Sequence, residues 1–477
     1  MINRRQFIHS AGATAASVSL ANLPGLALAK TDSGQIELRA KTAEHALPGE
    51  SYAASKLWLY DGKLPGPEIR LRKGEVVRIK FINELDEPTS IHWHGVRIKN
   101  AMDGVSGLTQ DPVAPGQSFD YEFEVPDSGT FWYHAHNKSW QQVARGLYGP
   151  LIIEDEVPVF DRDHDITLMM DDWRLDQNGQ LHLASLGDVG DWSHAGRLGN
   201  FITVNGRREP VFKLFRGENY RLRLINACNA RVLIVSPAAL GAKILGFDGF
   251  DLTEPLEPQF DTLPVAPAQR VDLLVRGESL DPARLNDVGD FALQELTQTT
   301  AYSMAKFEFV EPPNGPQKTT SLSLSPNAIA APDLDNAVDV TLDMTGGAMG
   351  RTEGLIYQGR QLNINEMFDT GQVWAFNGVA NLSDQPLFRV QRGQTIRLKT
   401  MNQTGWIHGM HVHGHHFRIL SRQREELVKD AWRDTFLIDG DETVEIAFVA
   451  DNPGKWLLHC HMLEHAAGGM NTWFEVI

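Results

Sequence analysis

Histidine pairs are the most distinctive feature of this 477-residue chain. Eight of its 17 histidines form four His-x-His pairs, two toward each end of the chain. The pairs are His92/His94, His134/His136, His411/His413 and His459/His461. Side chains two residues apart on a β-strand point to the same face, so each pair presents two imidazoles to one site. Eight imidazoles exceed what one ion can bind. They predict a centre with several ions of a metal that favours imidazole, such as copper, zinc, iron or nickel.

A single cysteine narrows the choice of metal. Cys460 lies between the histidines of the last pair, so on an extended strand it faces the opposite side. His408 precedes His411 by three positions and therefore also faces away from its neighbouring pair. His465 and Met470 follow Cys460 by five and ten positions. Two histidines, one thiolate and a weak methionine ligand form a mononuclear blue-copper site. We therefore expect one-electron equivalents to enter at this copper and to accumulate at the histidine cluster, with the Cys460 backbone linking the two.

A pattern that occurs three times indicates how the chain positions these residues. In each copy a basic residue and a glycine form a turn, apolar and basic residues then alternate along a strand, and an asparagine follows nine positions after the glycine. The copies span residues 69–83, 212–226 and 388–402. Their glycines are 143 and 176 residues apart, which is the spacing of domains. Alternating strands between turn signals predict an antiparallel β-sandwich in each domain.

Composition excludes several classes of function. The chain is 42% apolar and 22% charged, as expected for a protein that buries a sizeable core. Its formal charge of −17 disfavours binding to nucleic acid, because phosphate backbones would be repelled. Its two cysteines, Cys228 and Cys460, exclude a disulfide framework.

The N-terminal segment, residues 1–29, is typical of an export signal. Arg4 and Arg5 precede Phe7 and a modest apolar stretch, and the segment ends in Ala27-Leu28-Ala29. Consecutive arginines at this point resemble a twin-arginine signal, which is read by the twin-arginine export machinery. The stretch is too weakly apolar for a stable membrane anchor. We therefore expect a periplasmic or secreted protein.

Four motifs resemble the copper signatures of the multicopper oxidases. They are His92-Trp93-His94-Gly95, His134-Ala135-His136, the run from His408 to His415, and the run from His459 to Met470. The resemblance extends over nearly all of the chain after residue 29. It implies an all-β protein of three cupredoxin-like Greek-key β-sandwich domains, at residues 36–156, 157–310 and 334–477, with a linker at 311–333. It also implies that electrons from a small reductant reduce dioxygen to water, four per molecule.

The resemblance further assigns ligands for four copper ions. The type 1 ligands would be His408, Cys460, His465 and Met470, and the type 2 ligands His92 and His411. One type 3 ion would be bound by His94, His134 and His461, and the other by His136, His413 and His459. These residues belong to the first and third domains, so the cluster is expected between them. The middle domain would serve as a spacer and as part of the substrate wall.

Acidic residues near the cluster could supply the protons that oxygen reduction consumes. Asp103 lies nine positions after His94, where relatives have an acid close to the cluster, and is our candidate proton carrier. Relatives have a second acid at one of two positions that Leu463 and Ala466 occupy here. Glu464 is the remaining candidate nearby.

The reducing substrate is indicated less directly. A methionine ligand at position 470 implies a low to moderate type 1 potential, which suits phenols, aromatic amines or metal ions. Met344, Met349 and Met367 precede the third-domain repeat without any histidine, and such scattered methionines disfavour a dedicated cuprous oxidase. We therefore expect a laccase-like oxidase of phenolic or aromatic amine donors.

Two alternatives stay open. The first is an oxidase of cuprous or ferrous ions in metal tolerance, in which Glu366 or Asp369 could bind ferrous iron above the type 1 histidines. The second is a copper-free scaffold protein of the cell envelope with the same fold. The complete set of ligand residues disfavours the scaffold.

Overall fold

The structure is a computed structural model. It describes residues 34–237, 240–258, 261–276, 291–295, 302–313, 315, 322–350, 352–424, 428 and 430–477. The expected export signal at residues 1–29 lies outside these residues. Strands make up 46% of the structure, which confirms the predicted all-β class. Within the described ranges, the helices are all too short or too polar to cross a membrane.

The first domain contains eight strands in two four-stranded sheets. The strands are β1 (Ile36–His45), β2 (Ser55–Tyr60), β3 (Ile69–Arg72), β4 (Val76–Asn83), β5 (Ile91–His94), β6 (Ser118–Glu124), β7 (Gly129–Ala135) and β8 (Tyr148–Glu154). One sheet has the order β2-β1-β4-β6 and the other β3-β8-β7-β5. The second sheet carries the first two histidine pairs.

The second domain contains eleven described strands. They are β9 (Asp165–Trp173), β10 (Phe201–Val204), β11 (Val211–Phe215), β12 (Asn219–Asn226), β13 (Leu233–Val235), β14 (Lys243–Phe247), β15 (Phe250–Leu256), β16 (Leu263–Val265), β17 (Arg270–Arg276), β18 (Phe291–Glu295) and β19 (Tyr302–Val310). They form a six-stranded sheet, β10-β9-β12-β17-β14-β15, and a five-stranded sheet, β11-β19-β18-β13-β16.

The third domain contains twelve described strands. They are β20 (Val338–Gly346), β21 (Leu355–Tyr357), β22 (Arg360–Leu362), β23 (Trp374–Phe376), β24 (Arg389–Val390), β25 (Thr395–Asn402), β26 (His408–Val412), β27 (Arg418–Arg422), β28 (Thr435–Ile438), β29 (Thr443–Val449), β30 (Gly454–Cys460) and β31 (Asn471–Val476). Two five-stranded sheets, β23-β20-β25-β29-β27 and β24-β31-β30-β26-β28, accompany the small β21-β22 hairpin.

The three domains share one pattern of parallel strand pairing. Each contains two parallel strand pairs within otherwise antiparallel sheets: β1/β4 and β3/β8, β9/β12 and β11/β19, and β20/β25 and β24/β31. Parallel strands need a crossover connection, and here the chain passes through the other sheet between the two strands of every pair. The same crossovers in each domain confirm the three predicted sandwiches.

The repeated asparagine has the same function in every copy. Asn83, Asn226 and Asn402 each end a strand and are buried. Each side-chain Nδ2 donates to two backbone carbonyls of the following loops, and each Oδ1 accepts from the backbone N–H two residues on. The amide thus satisfies loop groups that burial would otherwise leave unpaired. This explains why the asparagine accompanies the strand pattern.

Short helices lie between the strands. They are α1 (Ser139–Gln142), α2 (Val189–Ser193), α3 (Ile364–Thr370) and α4 (Leu463–Ala467), with 3₁₀ turns at Asn100–Met102, Arg162–His164, Leu183–Ser185 and Leu334–Asn336. The cores of the first and third domains form one hydrophobic cluster that includes Trp93, Trp374 and Trp456. The second domain has its own core. This continuity places the first and third domains face to face.

Candidate metal centre

Strand register aligns the two histidine pairs of the first domain. His92 on β5 lies opposite His134 on β7 in an antiparallel ladder. Directly opposed residues in such a ladder point to the same face. His94 follows on the same face of β5, and His136 comes directly after β7 ends. One face of this sheet therefore presents all four imidazoles.

The third domain repeats this arrangement. His411 on β26 lies opposite His459 on β30, and His413 and His461 come directly after these strands. Met410 lies opposite Cys460 in the same ladder, so the cysteine points to the other face. The alternation of side chains along β30 thus separates a cysteine site from a histidine site, as its sequence predicts.

The imidazoles of the two domains meet in compact groups. Ligand atoms lie within 4.8 Å of one another in each of three groups: His92, His94 and His411; His94, His134 and His461; and His136, His413 and His459. The Nε2 atoms of His413 and His459 are 3.2 Å apart, and those of His134 and His461 are 3.4 Å apart. The residues that the sequence assigned to each type 3 ion, and to the type 2 ion, are neighbours in space.

The chemistry of these nitrogens fits a metal cluster. Among the described residues, four buried nitrogens of the eight cluster imidazoles have no hydrogen-bond partner: His92 Nε2, His94 Nδ1, His411 Nε2 and His461 Nδ1. In three of these rings the other nitrogen is held by the protein: His92 Nδ1 donates to the Asp103 carbonyl at 2.9 Å, and the rings of His94 and His411 contact Asp434. A buried polar atom without a partner is costly, and a metal ion would satisfy it.

Removal from water keeps these imidazoles neutral. Loss of hydration on burial is the first cause of the lowered histidine pKa values, and neighbouring imidazoles lower these values further. The pKa lies well below its usual value for His94, His134, His136, His413, His459 and His461, and is lowered for His411. A neutral imidazole offers the lone pair that a metal ion requires.

A second site lies on the other face of β30. The Nδ1 atoms of His408 and His465 are 2.9 Å apart and lie 3.7 and 3.8 Å from the Cys460 sulfur. Met470 is fully buried, and its carbonyl accepts a hydrogen bond from the Cys460 N–H. Burial raises the pKa of the Cys460 thiol to about 12. A thiolate at this position therefore needs a compensating cation, which suits the blue-copper donor set.

Comparisons with known proteins agree with this geometry. Residues 42–158 and 357–477 each match a sequence family described as multicopper oxidase. Laccase-1 of Fomitopsis schrenkii is 30% identical to this chain, and the match covers 86% of this chain and 81% of the laccase. The chain belongs to the multicopper oxidase family. It is therefore an oxidoreductase that uses dioxygen, and its family implies a copper cofactor.

Two further relatives show how much of this multicopper oxidase is covered. Multicopper oxidase MmcO of Mycobacterium tuberculosis is 27% identical over 88% of this chain and 82% of its own length. The crystal structure of Lac15, from a marine microbial metagenome, superposes with a TM-score of 0.71 at 37% identity, and covers 92% of this chain and 99% of Lac15. The predicted cupredoxin-like fold is thus confirmed along nearly the whole chain.

Asp103 lies between two of the candidate ligands of this multicopper oxidase. Its side chain is fully buried, with Oδ2 3.0 Å from Nδ1 of His413 and Oδ1 3.2 Å from Nδ1 of His92. Gly104 adopts a positive φ, and a Cβ at this position would overlap the Ile91 carbonyl. The Asp103-Gly104 turn therefore packs tightly on β5 and directs the carboxylate at the cluster.

Asp434 contacts the other side of the cluster. Its Oδ1 is 3.4 Å from His94 Nε2, and its backbone carbonyl accepts from His411 Nδ1 at 2.9 Å. Burial alone would raise the pKa of Asp434, but the Arg270 guanidinium and His94 outweigh burial and hold it well below its usual value. Gly95 leaves the space for this pair, because a Cβ there would collide with Arg270.

Glu464 directly precedes His465, a candidate metal ligand of this multicopper oxidase. It is 1% exposed, and its Oε1 accepts from Asn229 Nδ2 at 2.7 Å. Burial raises the pKa of Glu464 to about 7. Asn229 also donates to the Trp140 carbonyl and accepts from the Leu463 N–H, so this second-domain residue contacts both other domains.

Sequence reasoning missed several residues of the site. Arg270 and Asn229 belong to the domain without a copper motif, and nothing in their local sequence indicates their distant partners. His194 belongs to none of the four copper motifs, yet its backbone carbonyl accepts a hydrogen bond from His465 Nε2 at 2.7 Å. Any residue type supplies a carbonyl, so the sequence carried no signal for this contact.

Proposed function

We propose that this multicopper oxidase is laccase-like: it couples one-electron oxidation of phenolic or aromatic amine donors to the four-electron reduction of dioxygen to water. His408, Cys460, His465 and Met470 would bind a type 1 copper. Three further ions would be bound as two type 3 and one type 2 copper by the histidine groups described above. Bound copper supplies one-electron acceptance at the type 1 site and dioxygen reduction at the cluster.

The observation that carries the choice of donor is the environment of the type 1 histidines. His194 and Trp406 form an aromatic pair close to them, with ring centroids 5.3 Å apart. Aromatic surfaces favour aromatic donors through edge-to-face and stacked contacts. The laccase names among the relatives support the same class of donor.

The candidate metal-docking residues give less support to a cuprous oxidase. Met344 and Met367 are buried in hydrophobic clusters at 0% and 3% exposure, whereas Met349 is 83% exposed. A cuprous ion favours several soft ligands together. One exposed thioether of the three offers little basis for capturing it.

The acids considered for ferrous iron lie on α3. Glu366 forms a reciprocal capping box with Asn363 and an ion pair with Arg360, which occupies its carboxylate in holding the helix. Asp369 is exposed on the same helix. This arrangement favours a structural role for Glu366.

The chain's own residues define how the two sites cooperate. The Cys460 backbone connects the thiolate on one face of β30 directly to His459 and His461 on the other. Asp103 Oδ2 accepts from His413 Nδ1, so Asp103 would hold a proton at Oδ1 and pass it toward the cluster. Asp434 would fix His94 and His411 through its side chain and backbone, in the manner of acidic partners of metal-binding histidines.

The experiment that tests the proposal is oxygen uptake by the copper-loaded protein with 2,6-dimethoxyphenol and with cuprous ion as parallel donors. A higher kcat/KM for the phenol supports the laccase-like function. A higher value for cuprous ion would replace it with copper oxidation. A copper-loaded sample with no blue absorption and no oxygen uptake would instead favour the copper-free scaffold.

We also propose export, on the basis of the twin-arginine pattern at Arg4 and Arg5. A folded protein carried by this route would acquire its metal before or during export. Replacing both arginines by lysine should retain the protein in the cytoplasm, as measured by cell fractionation. Unchanged export would contradict the assignment.

A further inference from the structure

His465, one of the two candidate type 1 histidines, is covered by a segment of the second domain. His465 directs Nδ1 toward Cys460 and His408, and its Nε2 donates to the His194 carbonyl at 2.7 Å. The imidazole has no exposed surface. A donor outside the protein therefore cannot touch His465 in this conformation.

The covering segment is residues 188–197 of the second domain, which we call the cap. It contains α2, whose N-terminus is capped by the Asp188 side chain accepting from the Asp191 N–H. Arg174 donates to both carboxylate oxygens of Asp191, at 2.6 and 2.9 Å. The cap is therefore tied to its own domain at its base.

The third domain holds the other side of the cap. Trp374 Nε1 donates to the Trp192 carbonyl at 2.6 Å, and the Ala348 N–H donates to the Ser193 carbonyl at 2.7 Å. The Trp374 ring also packs against His465, with centroids 4.7 Å apart. Together with the hydrogen bond from His465 to His194, these contacts attach the cap to two domains and make it a fixed part of the site.

The outer face of the cap presents an aromatic pair. The exposed His194 ring meets the Trp406 ring edge to face, at 5.3 Å and 68°. His194 Nδ1 donates to the Gly190 carbonyl at 2.8 Å. This hydrogen bond sets the tautomer, so Nε2 carries a lone pair that accepts from a hydroxyl or an amine. Trp406 is fixed by its own hydrogen bond to the Ala348 carbonyl.

We propose that phenolic and aromatic amine donors dock on His194 and Trp406, outside the cap, and that their electrons reach His465 through the His194 backbone. This inference rests on the proposed function. The donor's ring packs on Trp406 and its hydroxyl donates to His194 Nε2. The electron then crosses one residue and one hydrogen bond to His465. With copper held by the type 1 residues, the phenol would give up one electron to it, and the hydroxyl proton would pass to His194 Nε2 and from there to solvent.

Side-chain variants separate docking from the electron path, because every variant at position 194 retains the carbonyl. We would compare His194→Ala and Trp406→Leu with His182→Ala, which replaces another exposed histidine of the same domain. Calorimetry would measure 2,6-dimethoxyphenol binding to the fully reduced enzyme under argon, where no turnover occurs. Anaerobic stopped flow would follow reduction of the blue chromophore by the phenol and by ferrocyanide.

We expect about tenfold weaker phenol binding in His194→Ala and Trp406→Leu, as for loss of an aromatic or hydrogen-bonding anchor. The blue absorption and the type 1 potential should match the wild type, and reduction by ferrocyanide should fall less than reduction by the phenol. His182→Ala should behave as the wild type throughout. Wild-type phenol affinity in both variants would overturn the proposal. Faster phenol oxidation in His194→Ala would also overturn it, since the donor would then reach His465 through an opened cap.

The same experiment distinguishes this inference from the proposed function. A wild-type enzyme that consumes oxygen with ferrocyanide but neither binds nor oxidises the phenol would overturn the proposed donor class and the docking site together. A wild-type enzyme that oxidises the phenol while both variants retain its affinity would overturn the docking site alone.

Discussion

The Arg270 guanidinium and the Asp434 carboxylate form a fully buried, two-point ion pair, with Nη1–Oδ1 and Nη2–Oδ2 distances of 2.9 and 2.5 Å. Arg270 begins β17 of the second domain, and Asp434 directly precedes β28 of the third. Asp434 in turn contacts His94 of the first domain. The pair thus connects the domain without copper motifs to ligands supplied by the other two.

We predict that Arg270→Met weakens both the fold and the cluster. Removing one partner of a buried ion pair leaves an uncompensated charge and costs about 3–5 kcal/mol. Because Asp434 also fixes His94, copper occupancy of the cluster should fall. Urea unfolding of the copper-free protein and copper analysis of the loaded protein would measure the two effects.

A double variant provides the control for this prediction. Arg270→Met with Asp434→Asn removes both charges and should be less destabilised than the sum of the single variants. Arg397→Met, at an exposed pair with Asp339, should change the unfolding midpoint little. Equal stability of Arg270→Met and the wild type would show that the pair does not hold the domains.

We predict that Cys460→Ser abolishes the blue absorption and lowers oxygen uptake by more than about 10²-fold, because the thiolate carries electron entry. The histidine cluster should keep its copper, since the cysteine faces the other side of β30. Cys228→Ser is the matched control, because Cys228 is also buried but lies in the second-domain core. Retained turnover in Cys460→Ser would contradict the electron-entry assignment.

The histidine site illustrates what a sequence encodes directly. Side chains alternate between the two faces of a strand, and this alternation alone separates Cys460 from His459 and His461. The antiparallel pairing of β26 with β30 then places His411 opposite His459. The repeat pattern that ends in an asparagine likewise predicts three sandwiches. The Asn83 side chain donates hydrogen bonds to a loop carbonyl a few residues away and to one that is more distant in the sequence. These signals are short-range and depend on residue type.

The rest of the site depends on long-range contacts that no short pattern carries. Arg270 and Asp434 are 164 residues apart, and His194 and His465 are 271 apart. The middle domain has no copper motif, so the sequence indicated a spacer and part of the substrate wall. Met344 is buried and Met349 is exposed because of how the sandwich packs, and the residues beside them in the sequence do not indicate this difference.

We predict that Asp103→Asn slows reoxidation of the reduced enzyme by dioxygen about 10²-fold, while reduction of the type 1 site stays unchanged. Asparagine retains the size and one acceptor oxygen beside His413 but cannot carry a proton at that position. Stopped-flow mixing of the reduced enzyme with oxygenated buffer would measure the rate. Asp111→Asn, at an exposed aspartate, is the control. Wild-type reoxidation in Asp103→Asn would remove the proton-carrier role.

The last prediction concerns acid stability at the contact between the first two domains. Asp165 is buried and accepts hydrogen bonds from Arg223 Nε at 2.6 Å and Arg70 Nη1 at 2.8 Å. Burial alone would raise the pKa of Asp165, but Arg223 and Arg70 outweigh burial and hold it below its usual value. The carboxylate therefore stabilises the fold above the unfolded-state pKa of about 3.9, and this stability is lost as the pH falls through the folded-state value.

Asp165→Asn should accordingly lower the free energy of unfolding by about 3 kcal/mol at pH 7, because the buried Arg223 guanidinium loses its closest carboxylate and Arg70 loses one of its three. The difference from the wild type should shrink as the pH falls below about 4, because the carboxyl of the unfolded chain takes up a proton there, whereas the folded carboxylate, with its lowered pKa, does so only at lower pH. Urea titrations at about pH 7, 5 and 3 would measure this difference in the free energy of unfolding. Asp163→Asn, at an exposed aspartate of the same loop, should show no such trend. A difference that is constant or grows on acidification would show that the Asp165 carboxylate is not the source of acid-sensitive stability.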